Sequence, residues 1–268
     1  MTSLAGRISK ATATTMLAGA VGGVALLAGE AIAAKGRRYA KPTMGLALRT
    51  SMGPGSAPVL RLVLLGDAAA IGVGVEWLSE TVGGQLARML AEGTPQTGER
   101  HVLLSSVGVA GSRSSDLSTQ VARALLGERP DVAVVLIGQN DATTLRSPEE
   151  SAQYLGAAVR RLRESGVQVV VGTCPDLGAV RSAAPPLRQL AGWLGRRMAR
   201  AQAAEVREAG GVVVSLGEET GAVFRADAGT LCYDGFHPSA DGYRVWAHAL
   251  YPAVEQAALA AGRPASGR

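Results

Sequence analysis

Four short stretches carry residue types that could do chemistry together. Gly66-Asp67-Ala68 ends an apolar run. Gly108 and Gly111 stand in "GVAGSRSSDL". Gly138-Gln139-Asn140-Asp141 ends another apolar run, and Asp234 and His237 lie three residues apart in "DGFHPSADGY". The chemistry that needs such a set is acyl transfer. It requires a nucleophile, a base, a group that orients the base, and hydrogen-bond donors for the developing oxyanion. His237 is a candidate base, and Asp234 is close enough in sequence to orient its ring. Asn140 offers a side-chain amide, Gly111 a backbone N–H with no side chain in the way, and residue 68 a further backbone N–H, with Asp67 beside it in the binding set. Position 68 is the exception, because the methyl of Ala68 cannot attack a carbonyl. Singly each motif is weak: G-x-N-D is a common turn, and D-x-x-H reads as a capped turn before a helix.

The elements that must position these residues are strand–helix alternations. "VLRLVLL" (59–65), "HVLLSSVGV" (101–109), "DVAVVLIG" (131–138), "VQVVVGT" (167–173) and "GVVVSL" (211–216) are nearly unbroken apolar runs. Leu78, Val82, Leu86 and Met89 follow the first at helical spacing. Ser115 or Asp116 can cap a helix toward Leu126, and Ser147-Pro148-Glu149-Glu150 opens another with a cap, a first-turn proline and acids. A long helix covers about 187–208, and a last one starts near Ser239. Unbroken strands between helices predict a mostly parallel sheet of about five strands, covered on both faces. Functional loops then follow the strands' carboxyl ends, which is where the first three motifs stand.

With the motifs in this order, residues 59–260 resemble the SGNH hydrolases, the GDSL-type esterases and lipases. Gly111 matches the family's second-block glycine, Asn140 its third-block asparagine, and Asp234 and His237 its D-x-x-H block. The resemblance implies a three-layer α/β/α sandwich and a serine esterase that needs no metal or cofactor. It also implies a small-molecule partner, an acyl ester or an acylated sugar. The family's first block is G-D-S, and here Ala68 stands in the serine's place. Two readings stay open: an ester hydrolase that is weak or inactive as written, and a non-catalytic relative that binds acyl or carbohydrate ligands. His237 acting on a water, or Ser112, Ser114 or Cys174 standing in as nucleophile, are conceivable rescues.

The charge distribution argues against nucleic acid. The net +5 is concentrated in residues 1–50, where seven basic residues face Glu30 alone; residues 51–268 hold 20 arginines against 21 acids. Those first 50 residues also hold an apolar stretch, Met16 to Gly29, between basic clusters. They read as a signal peptide with Ala31-Ile32-Ala33 as its small-residue site, or as a membrane anchor, which makes the expected location membrane-bound or exported. Residues 51–58, "SMGPGSAP", read as a linker, and 261–268 as a disordered tail. Cys174 and Cys232 could pair or stay free.

Overall fold

The computed structural model describes Leu26, Leu27, Gly29, Glu30 and residues 48–95 and 97–262. Of the leader read over residues 1–50 only Leu26, Leu27, Gly29, Glu30 and 48–50 are among the described residues, and of the tail read over 261–268 only 261 and 262.

Three apolar runs form the centre of the sheet: β2 (Val59–Gly66), β4 (Val132–Leu136) and β5 (Gln168–Gly172). Every residue of β4 is buried, as expected for a strand covered on both faces. β3 (His101–Ser106) and β6 (Val212–Val214) flank them. A sixth strand, β1 (Arg49–Met52), precedes these and pairs antiparallel with β3, Arg49 opposite Ser105 and Met52 opposite Val102. The order is β1-β3-β2-β4-β5-β6, with all pairs but the first parallel. The sheet thus has one strand more than the apolar runs predict. Ser51 and Met52, read as linker, belong to it, because an edge strand with alternating exposure carries no apolar run. β3 also stops at Ser106 rather than at residue 109, and from there the chain turns to bond β2's end through Val109 N–H to Gly66 O (3.1 Å).

Among the described residues, seven α-helices follow residue 80: α1 (Val82–Glu92), α2 (Leu117–Ala124), α3 (Gln139–Thr143), α4 (Pro148–Glu164), α5 (Leu187–Glu208), α6 (Leu216–Ala226) and α7 (Ala240–Ala261). The predicted cap of α4 is in place, with Ser147 Oγ accepting from Glu150 N–H at 3.2 Å and Pro148 at the first position. α6 departs from the expectation, since Leu216, read as the end of a strand, is the first residue of a helix.

Alternate residues of each strand face opposite layers. Leu60, Leu62, Leu64, Val132 and Val134 pack with α1 and α7. Val63, Leu65, Ala133 and Val135 pack with α2, α4 and α5. This is a three-layer α/β/α sandwich. From β2 the chain crosses to β3 on one side, and from β3 it returns past β2 to β4 on the other. The order therefore reverses around β2, and a crevice opens at the carboxyl ends of the strands beside it. The residues at that opening are Gly66, Asp67 and Ala68.

Candidate functional site

The turn after β2 is built to bend sharply. Gly66 has φ +134°, and a Cβ there would sit 1.8 Å from the Leu136 carbonyl oxygen of β4, so only glycine fits. Asp67 N–H donates to that same oxygen at 3.0 Å. Asp67 Oδ1 accepts from Ala69 N–H at 3.2 Å and starts a one-turn 3-10 helix, Ala68–Ile71, which Gly72 closes in the left-handed region. Residue 68 is thus the first residue of a tight turn tied to β4.

Each neighbouring loop is bonded to this turn or to the next loop. Gln120 of α2 accepts from Gly66 N–H (2.7 Å), donates to Gly66 O (2.9 Å) and donates to Ser112 Oγ (3.1 Å). Ser106 Oγ donates to Ala70 O at 2.8 Å. Asn140 Nδ2 donates to Ser112 O at 3.0 Å, so one of its two amide hydrogens braces the Gly111 loop and the second is left for other work. Asp141 accepts from Ser114 N–H and Oγ. Gly111 itself is exposed, has φ +82° and meets nothing within 4 Å of a Cβ position.

The Asp234–His237 loop arrives from just before α7. Tyr243 O–H donates to Val73 O at 2.8 Å. A Cβ on Gly74 would lie 2.7 Å from Pro238 O and 3.4 Å from His237 Cβ. The loop therefore packs directly on the turn that follows residue 68. Within it, His237 Nδ1 and Asp234 Oδ2 are 2.5 Å apart, a short charge-assisted contact. Asp234 Oδ1 accepts from Phe236 N–H (2.8 Å), His237 N–H (2.9 Å) and Cys232 Sγ (2.9 Å). Burial works against the charged carboxylate here, but the bonds from His237, Cys232 and the two backbone N–H groups outweigh it and hold Asp234 below the usual carboxylate range. An ionised Asp234 on Nδ1 leaves Nε2 as the ring's basic nitrogen. The His237 side chain is about one-fifth exposed, enough for a ligand to reach it.

The other candidate nucleophiles are committed elsewhere. Ser112 and Ser114 are buried, and their hydroxyls bond Gln120 and Asp141. Cys174 and Cys232 are both free and buried. Burial, then the charges of Asp67, Asp141 and Asp176, drives the Cys174 thiol far above its ordinary range, and burial with the Asp234 bond pushes Cys232 up to about 12. Neither is a thiolate near neutral pH. Among the described residues, no three His, Cys, Asp or Glu side chains come together as metal ligands.

Two clamps had no signal in the sequence. Gln120 is one. Gln202 of α5 is the other, fully buried, donating to Ile137 O (2.9 Å) and accepting from Cys174 N–H (2.7 Å), which locks the ends of β4 and β5 together.

Asp67 is the strained group. It is 2% exposed, and Oδ2 has no partner among the described residues. Burial pushes its carboxyl up to about 7; the Ala69 N–H and the charge of His237 partly offset this, and Asp141 adds to it. The folded chain therefore keeps a proton that the unfolded chain loses near pH 4. Stability from this group falls as pH rises from about 4 to about 7, and above that the folded state bears the full cost of an ionised buried carboxylate. Asp67→Asn keeps the acceptor for Ala69 N–H and removes the ionisation. Denaturant unfolding at pH 4 and pH 8 should show the parent losing on the order of 3 kcal/mol more than the variant between the two. Parallel losses would mean that Asp67 is ionised throughout.

Residues 64–245 match the sequence pattern of the GDSL-like Lipase/Acylhydrolase family. A GDSL-like esterase of Mycobacterium tuberculosis is 44% identical over 200 residues, covering 74% of this chain and 62% of its own. The chain thus spans about three-fifths of that relative's length. Among solved structures, a lipase/acylhydrolase from Enterococcus faecalis superposes with a TM-score of 0.54 at 19% identity, over 74% of this chain and 96% of the other. A catalytic mutant of an acetylxylan esterase from Geobacillus stearothermophilus gives 0.55 at 18%, over 76% and 95%. These likenesses support the sandwich fold, and the family pattern spans well over half the residues around the turn at 68, so the chain belongs to the GDSL-like Lipase/Acylhydrolase family.

Proposed function

We propose that this site is built for acyl-ester hydrolysis of the GDSL type and stands, as written, without its nucleophile. The observation that carries the reading is the 2.5 Å Asp234–His237 pair packed against the turn that begins at Ala68. In that reading residue 68 is the nucleophile position, His237 the base and Asp234 the group that orients it. The backbone N–H of residue 68, Gly111 N–H and the second hydrogen of Asn140 Nδ2 receive the oxyanion. A small acyl ester or acylated sugar is the substrate class, in keeping with the esterase named among the relatives and the acetylxylan esterase among the similar folds. That last protein's structure is itself a serine-to-alanine catalytic mutant. With a methyl at 68 the acyl-enzyme route is closed, and the site holds its ester without cleaving it efficiently.

The test is a panel of short-chain aryl esters with the parent chain and with Ala68→Ser. Gain of turnover on restoring the hydroxyl supports the reading. A folded but inert Ala68→Ser protein overturns it in favour of a ligand-binding relative.

We also propose that the basic, apolar first 50 residues bring this domain to a membrane or across one. No helix among the described residues is long and apolar enough to cross a membrane, so the proposal rests on the leader's sequence alone. Fractionation of the full chain expressed in its host should find it with membranes or shortened by export. Recovery as an unprocessed soluble protein would overturn this.

A further inference from the structure

Strand β6 has only three residues, and beyond its end α5 and α6 leave a cleft of about 410 Å³ over the carboxyl ends of β5 and β6. Four arginines line it: Arg196, Arg200 and Arg207 from α5 and Arg225 from α6. On α5 they stand at i, i+4 and i+11, with Ala203 at i+7, so three guanidinium groups share one helix face and a small residue opens room between them. Like charges four apart disfavour a helix, so a bound anion would relieve a repulsion already present. Two acids share the cleft, Asp176 and Glu218. Asp176 is taken by Arg225 and by Gly178 N–H. Arg196 and Arg200 have no hydrogen-bond or ion-pair partner among the described residues, and Arg207 reaches only the Ala203 carbonyl of its own helix. Once Arg225 is set against Asp176, three guanidinium charges face Glu218 alone. None of Ala68, Asn140, Asp234 and His237 lines this cleft.

We propose that the cleft is a phosphate-binding site, separate from the Asp234–His237 site, for the phosphomonoester or phosphodiester group of a small molecule or a lipid headgroup. Guanidinium forks match phosphate oxygens in pairs, and an arginine-lined cleft recognises them as lysines on an open surface do not. A phosphomonoester fits better than a carboxylate because its three terminal oxygens and charge of up to about −2 answer several arginines at once, and a phosphodiester brings one charge on two terminal oxygens of a tetrahedral centre. The volume exceeds what a bare phosphate needs and suits a small ligand that carries one.

The test titrates the full chain with glycerol 3-phosphate by calorimetry and floats it with phosphatidylcholine vesicles with or without phosphatidylglycerol. The same measurements are made on the Arg196→Glu/Arg200→Glu double variant and on the milder Arg196→Gln/Arg200→Gln. Both arginines are exposed, and an unchanged melting temperature checks that each variant folds. A free phosphorylated ligand predicts saturable glycerol 3-phosphate binding that weakens with salt and falls by roughly tenfold or more in the variants. A headgroup predicts flotation with phosphatidylglycerol that drops in the variants, any vesicle affinity of the basic leader being common to all the proteins. Absence of both, or binding that survives both double variants, overturns the proposal.

Discussion

Ala68→Ser should raise turnover of a short-chain aryl ester by about 10³- to 10⁶-fold. The upper figure is the loss seen when a serine hydrolase loses its nucleophile, and the lower allows for imperfect placement of the new hydroxyl. The change adds one oxygen to a side chain on a turn whose backbone is held by Gly66, Asp67 and Gln120, none of which it touches chemically. Folding is therefore not at issue. A fluorophosphonate should label the Ala68→Ser protein and leave the parent unlabelled, because only an activated serine is phosphonylated. Ester turnover by the parent at about 1–10³ per second would show that another group attacks. The structure leaves that group few identities, since the Ser112 and Ser114 hydroxyls are bonded and buried and the Cys174 thiol stays protonated.

In the Ala68→Ser background, His237→Ala should abolish the gain, and Asp234→Asn should cost about 10⁴-fold in kcat. The two losses have different origins. Without the imidazole nothing takes the serine proton. With asparagine at 234 the amide oxygen can still accept from Phe236 and His237 N–H, but an Nδ2 placed against His237 Nδ1 would donate rather than accept. The ring is then held in the tautomer with its proton on the wrong nitrogen. That is a loss of proton-transfer competence, so kcat should fall while KM stays within a few-fold. An equal rise in KM with kcat unchanged would instead make Asp234 a ligand-binding residue. Full activity in the His237→Ala protein would remove the dyad from the mechanism.

Much of this architecture is written in local patterns. β4 was legible as an unbroken apolar run because both its faces are buried, and β2 and β5 nearly so, their one polar residue each, Arg61 and Gln168, standing toward the amino end where burial is incomplete. The cap of α4 was legible because Ser147, Pro148 and Glu150 act within one turn. Asp234 and His237 could be paired on paper because three residues of loop suffice to bring carboxylate and ring together. That Ala68 begins a turn was legible because the apolar run of β2 breaks at Gly66-Asp67, whereas the reversal of strand order at that turn exists only in the assembled sheet.

What only the tertiary structure decided depends on distant partners. β1 is a half-exposed edge strand, and its residues become a strand only because β3, with pairing partners from Met52–Val102 to Arg49–Ser105, offers a free edge far along the chain. α6 starts at a leucine that belongs equally well to the preceding apolar run, and the packing of Leu216 and Phe224 beneath α7 resolves it. Gln120 and Gln202 look like ordinary helical glutamines; their function as clamps appears only when Gly66, 54 residues away, and Ile137, 65 residues away, are brought to them. The raised carboxyl of Asp67 is of the same kind, for burial is a property of the assembled layers. Sequence spacing determines which groups can meet within a turn or a loop, whereas burial, and contacts that close long stretches of chain, exist only once the sheet and both helical layers are packed.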